Sequence, residues 1–107
     1  MVDYRLDATF TALADPTRRG MLAALALGEK PISELAAPYP MSLAGAAKHV
    51  GVLERAGLIE RRKVGRQQLC RLRSDRLKEA SDWLGQWEGF WNSRLDALET
   101  ALKDEEI

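Results

Sequence analysis

Eight of the sixteen basic side chains lie between residues 48 and 73, where only two acidic ones accompany them, for a net charge of +6. They are Lys48, Arg55, Arg61, Arg62, Lys63, Arg66, Arg71 and Arg73. Residues 1–47 carry −1 and residues 74–107 carry −5, so the chain is neutral overall. Where a polyanion docks is decided by such clustering and not by the total. The chemistry suggested is non-covalent neutralisation of phosphates; from charge alone, a solvated charged hairpin fits equally well.

Other reactive residue types are sparse. There is one histidine, His49, and one cysteine, Cys70. Ser42 and His49 fall seven residues apart in one helical segment, about 10 Å along its axis, too far for a nucleophile and its base. No phosphate-binding glycine loop is present. Zinc needs several converging nitrogen, sulfur or carboxylate ligands, which this composition makes improbable. The residues therefore point away from an enzyme, a metal site and a bound cofactor.

The elements that position the cations follow from periodicity and punctuation. Residues 3–14 predict a helix, with Leu6, Phe10, Leu13 and Ala14 on one face. Asp15 is a good N-cap and Pro16 suits a first helical position, opening a second helix to about Leu27 with Gly28 beyond it. Lys30, Pro31 and Ile32 form a short extended piece. Ser33 is expected to cap a short helix from Glu34 to Ala37, which Pro38 and Pro40 end. Ser42 caps the next helix, to Ala56, and Gly57 closes it. Residues 58–63 and 67–73 read as strands, with Val64, Leu69 and Leu72 among the side chains expected to pair or pack and Gly65 supplying the turn. A long helix follows from about Arg76 to Lys103. One domain, 1–107, is expected. It is mainly α with a small β-hairpin, in winged helix-turn-helix order: the helix-turn-helix at about 33–57, the wing at about 58–73 and the last helix after it.

Read together, these segments resemble the ArsR/SmtB-type bacterial transcriptional regulators. The resemblance is carried by Leu13-Ala14-Asp15-Pro16-Thr17-Arg18-Arg19, Ile32-Ser33-Glu34-Leu35-Ala36, Met41-Ser42-Leu43, Lys48-His49-Val50, Leu53-Glu54-Arg55-Ala56-Gly57-Leu58-Ile59 and Gly65-Arg66. It covers nearly the whole chain, and the order and spacing of the fragments make it specific. It implies a dimeric repressor that leaves its operator when an effector binds, with an unknown small molecule as a candidate effector. Two positions depart from the family: Ala47 stands where a polar residue is common, and Gly51 where arginine or lysine is common. The cysteine ligands that metal-sensing members carry near the third helix, and the aspartate and histidine ligands of their last helix, are missing.

At about 100° per residue, Leu43, Ala46, Val50 and Leu53 share the expected inner face of the helix from Ser42. Ala44, Gly45, Lys48, Gly51 and Arg55 face outward, with His49 and Ser42 at the edge. A face of small residues lets a helix backbone sit deep in the major groove of double-stranded DNA. The candidate DNA contacts are Lys48 to guanine, Ala44 or Ala47 to a thymine methyl, Ser42 as cap and phosphate ligand, and His49 to a phosphate or base edge. Arg66 is the candidate for the minor groove. Arg62, Lys63 and Arg18 are candidates for phosphates, although strand alternation stops the whole hairpin from facing one way.

On the last helix, Leu77, Ala80, Leu84, Trp87, Trp91, Leu95, Leu98 and Leu102 form an apolar stripe that Trp83 and Phe90 widen to roughly 140°. A helix on a small core needs less. The family dimerises through its first and last helices, so Leu6, Phe10, Ala80, Leu84, Trp87, Trp91, Leu95 and Leu98 are the expected homodimer interface; the tryptophans also suit a ligand pocket. The opening Met1-Val2-Asp3-Tyr4-Arg5-Leu6-Asp7 lacks a secretory pattern, no apolar run approaches a membrane span, and a lone cysteine suits a reducing cytoplasm. Two other readings fit the sequence: a winged-helix protein-interaction module that dimerises without binding DNA, and a thiol-responsive regulator acting through Cys70.

Overall fold

The computed structural model describes residues 4–105, without the side chains of Trp91 and Glu105. Helix α1 spans Tyr4–Leu13 and α2 spans Pro16–Leu25. Asp15 caps α2 by accepting from the Arg18 amide at 3.0 Å, and Pro16 occupies the first turn, where a missing N–H costs nothing. Strand β1 is Lys30–Pro31, followed by α3 at Ile32–Ala36 and α4 at Leu43–Arg55. Ser42 caps α4, its Oγ accepting from the Gly45 amide at 3.0 Å. Strands β2 (Ile59–Val64) and β3 (Gln67–Leu72) make the hairpin, and α5 runs over Asp75–Glu105.

The hairpin belongs to a three-stranded antiparallel sheet in the order β1-β3-β2, because Lys30 and Pro31 pair with Cys70 and Leu69. Val64 pairs with Gln67, leaving a two-residue turn of Gly65 and Arg66. Gly65 takes φ +61° while Arg66 keeps a negative φ, the pattern of a type II′ turn, whose twist matches that of the flanking strands.

The core gathers one face of each helix of the body. Met21, Leu25, Leu35, Val50, Leu53, Leu58, Ile59 and Cys70 are buried in one cluster. The approach of α2 to the turn after α3 is close: a side-chain carbon at Gly20 would land on Tyr39 Oη. Beyond Ala80, every described side chain of α5 is exposed.

Several expectations are corrected. Helix α3 starts at Ile32 with Pro31 as its flanking residue and no side-chain cap, so Ser33 is an exposed residue of the first turn. Leu43 is exposed, because the first turn of α4 projects past the core cluster. Gly51 is buried instead of outward-facing, and the space a Cβ would take there lies against the Arg55 guanidinium. Ala80 is 3% exposed within its own chain, so it has almost no surface to offer a partner.

Candidate nucleic-acid interface

The outward surface of α4 is built from its cap onward. Ser42, Leu43, Ala44, Lys48 and Arg55 are exposed and Ala47 is half-buried, while Ala46, Val50 and Leu53 hold the other face to the core. Small side chains bring the helix backbone near the surface, and Lys48 stands among them as a cation without a carboxylate partner among the described residues.

The hairpin sorts its cations by strand alternation. Arg61 lies on the same face as buried Ile59, towards α4, and Lys63 follows it. Arg61 forks onto Glu54 of α4, with Nε 3.1 Å from Oε2 and Nη2 2.7 Å from Oε1. This pair ties the hairpin to α4, and the Arg61 hydrogen bond holds the Glu54 carboxyl below its ordinary range. On the opposite face Arg62 forks onto Glu29 at 2.7 and 3.1 Å, and Arg71 pairs with Glu60. Hydrogen bonding to Arg62 likewise depresses the Glu29 carboxyl. Lys63 and Arg66 are exposed, and neither has a carboxylate partner among the described residues. Between α4 and the wing runs a groove of about 690 Å³, lined by Ser33, Leu43, Ala47, Arg66, Gln67 and Gln68 with the Glu54–Arg61 pair.

His49 and Arg18 meet away from this face. Arg18 donates from Nε to the Ala12 carbonyl at 2.8 Å and from Nη2 to the Thr11 carbonyl at 3.1 Å, and its Nη1 is 3.3 Å from His49 Nδ1. An arginine only donates, so His49 Nδ1 accepts and the proton of the neutral ring sits on Nε2. Asp15 Oδ2 stands 3.9 Å from the same nitrogen. Ser42, Ala44, Lys48, Lys63 and Arg66 thus lie on the open surfaces of α4 and the wing, whereas Arg62, Arg18 and His49 are engaged inside the chain. Leu43, Arg55, Gln67 and Gln68 belong to the exposed surface and were not singled out from the sequence. The outward position of Arg55 was the signal for it; nothing in the pattern separates Leu43 from the core leucines.

A helix-turn-helix domain family matches residues 13–62. The HTH-type transcriptional regulator Rv2034 of Mycobacterium tuberculosis is 37% identical over 73 residues, 67% of this chain and 68% of that protein. The crystal structure of an ArsR-family transcriptional regulator, RHA00566, superposes with TM-score 0.79 at 36% identity, covering 87% of this chain and 96% of that one. This chain belongs to the ArsR family. An ArsR-like regulator from Rhodococcus sp. RHA1 matches at TM-score 0.70 and 33% identity, over 92% of each chain. The homodimeric winged helix-turn-helix DNA-binding domain Mb0332 of Mycobacterium bovis matches at TM-score 0.60 and 27% identity, over 95% of this chain and 81% of that one. An ArsR-family chain is a transcriptional regulator that binds DNA and not an enzyme. Among the described residues no three His, Cys, Asp or Glu side chains are grouped to hold a metal ion, and no helix is long and apolar enough to cross a membrane.

The other exposed surface of this ArsR-family chain lies on α5. Trp83, Leu84, Trp87, Phe90, Leu95, Leu98 and Leu102 are all between 40% and 60% exposed. Phe10 of α1 meets Trp83 edge-on at 5.9 Å, and the contact continues to Trp87 at 6.0 Å and to Phe90 at 6.2 Å. Leu6 and Phe10 are half-buried beside this ladder, and Trp91 falls outside the described side chains.

Proposed function

We propose that this protein is a homodimeric repressor that binds a near-palindromic operator in double-stranded DNA within the cytoplasm, with α4 in the major groove and the wing tip at the minor groove. The reading rests on one observation: Lys48, Lys63 and Arg66, cations on the open surfaces of α4 and the wing, have no carboxylate partner among the described residues, whereas Arg61, Arg62 and Arg71 are neutralised within the chain. Ser42, Ala44, Lys48, Lys63 and Arg66 make the contact surface. Arg18 and Arg62 are left out of it as long as their internal hydrogen bonds persist, and His49 reaches DNA only through Nε2.

The uncovered α5 face supports the dimer, in which Leu6, Phe10, Leu84, Trp87, Leu95 and Leu98 meet their symmetry mates, with Trp91 in the same stripe. Two-fold symmetry sets the reading helices one helical turn of DNA apart, about 34–36 Å. A dimer seated on promoter DNA excludes polymerase from it, so repression is the expected output, and a small-molecule effector would lift it.

The test is affinity for the DNA upstream of the protein's own gene against scrambled DNA, across a salt series. If Lys63 and Arg66 of two protomers each neutralise a phosphate, log affinity falls against log salt with a slope of about −4. Lys63→Ala lowers that slope by about 2. Absence of binding to any duplex at low salt overturns the proposal in favour of a protein-interaction module.

A further inference from the structure

The reading face of α4 is poor in hydrogen-bonding groups, and its most prominent feature is apolar. Leu43, in the first turn, is 60% exposed. Leu43 and Ala47 line the groove that Arg66 borders on the wing side, and Ala44 is exposed beside them. The Ser42 oxygen is committed to the Gly45 amide, and His49 is turned to Arg18. Lys48 is left as the main polar group of the first two turns, and an ammonium donates but never accepts. Such a surface has little with which to accept from adenine N6 or cytosine N4. The one apolar group that base edges present in the major groove is the thymine C5 methyl.

We propose that Leu43 and Ala47 read thymine methyl groups, so that each half-site of the operator carries thymine opposite the first turn of α4. Lys48, about 140° round the helix from Leu43, donates to a neighbouring guanine or thymine O4. The proposal rests on the DNA-binding reading above. The cations around the apolar patch select DNA as its occupant, since Arg66 borders it, Lys48 is exposed on the same helix, and no unpaired carboxylate lines the groove. The carboxylate that does line the groove, Glu54, is already paired with Arg61.

Duplexes enriched by the protein from random-sequence DNA supply the probe. Each thymine is replaced in turn by deoxyuridine, which removes the methyl and keeps every hydrogen-bonding group. At the position facing Leu43 the affinity falls about fourfold for each methyl removed, the value of one buried methyl-sized group. Leu43→Ala, at an exposed position that leaves the fold intact by circular dichroism, weakens binding to the thymine duplex and abolishes its dependence on that methyl. Lys48→Ala weakens binding but keeps the dependence. If deoxyuridine is tolerated at every position while selective, salt-dependent binding persists, the methyl reading is wrong and the DNA-binding reading stands. If no duplex is enriched and none binds at low salt, both fall.

Discussion

Arg18 directs its guanidinium at the last carbonyls of α1, where a helix end is short of hydrogen-bond donors and carries partial negative charge. Arg19 does the same from Nη1 to the Leu13 carbonyl at 2.7 Å. Both arginines therefore hold the α1–α2 corner. Arg18→Ala should cost about 2 kcal/mol of stability in urea titration, the scale of charge-assisted hydrogen bonds lost at a half-buried site. Arg18→Lys should rescue little of it, because an ammonium cannot fork between two carbonyls and an imidazole. The salt slope of DNA binding should stay unchanged in either variant; a fall of about 2 would instead make Arg18 a phosphate ligand in both protomers. Cys70 is fully buried, and burial pushes its thiol above the ordinary range, against the opposing pull of Arg61. An uncharged, enclosed thiol is a poor nucleophile. Native protein should resist a thiol reagent at neutral pH and label fully once denatured. Rapid native labelling would restore the thiol-responsive regulator as a reading.

The elements show which parts of this arrangement were legible in the sequence. Helix α4 was, because a cap at Ser42, a core stripe and a closing Gly57 with φ +78° all mark the same segment. The hairpin was, because Gly65 sits between two runs of strand-forming and basic residues. The third strand was readable only as an extended piece, since its pairing with β3 is a contact across 38 or more residues. Alternation predicted that the wing cations would divide between two faces. It did not predict that Glu29, 33 residues away, neutralises Arg62. Periodicity fixes which way Leu43 points but not where the neighbouring helices stop, so an exposed leucine was read as core. The Glu54–Arg61 pair joining α4 to the wing has a consequence for pH. Because the folded Glu54 carboxyl is depressed by its arginine, this contribution is fully present above the ordinary glutamate value and is lost as pH falls through the folded one. Wild type should exceed Glu54→Gln in stability at pH 6, and the gap should narrow by pH 3.5, as read from urea midpoints. A gap independent of pH would remove the ion pair as its cause.

The whole molecule is too long for its mass. Its radius of gyration is 19.1 Å, where a compact chain of this length has about 13 Å. The excess is α5, whose 31 residues extend the longest axis to 70 Å. A helix standing clear of its core is normally polar all round, because it has nothing to bury. This one keeps Leu84, Trp87, Leu95, Leu98 and Leu102 at helical spacing in the open. Fully burying a leucine stabilises by about 1.5–3 kcal/mol, so covering what remains exposed of each yields on the order of 1 kcal/mol. Five such residues, doubled by symmetry, supply a substantial gain for a partner helix of the same kind. The fold of one chain therefore leaves a long apolar stripe uncovered, which fits the proposed homodimer, and in that dimer the spacing of the two α4 helices depends on it. Leu95→Glu with Leu98→Glu places charges in the middle of that surface without touching the core. The variant should sediment as a folded monomer at micromolar concentration, with its circular dichroism retained. It should also lose at least tenfold in operator affinity, because the second half-site no longer binds as part of one body. A variant that remains dimeric and binds as tightly as wild type would place the dimer contact elsewhere and leave the α5 stripe for another partner.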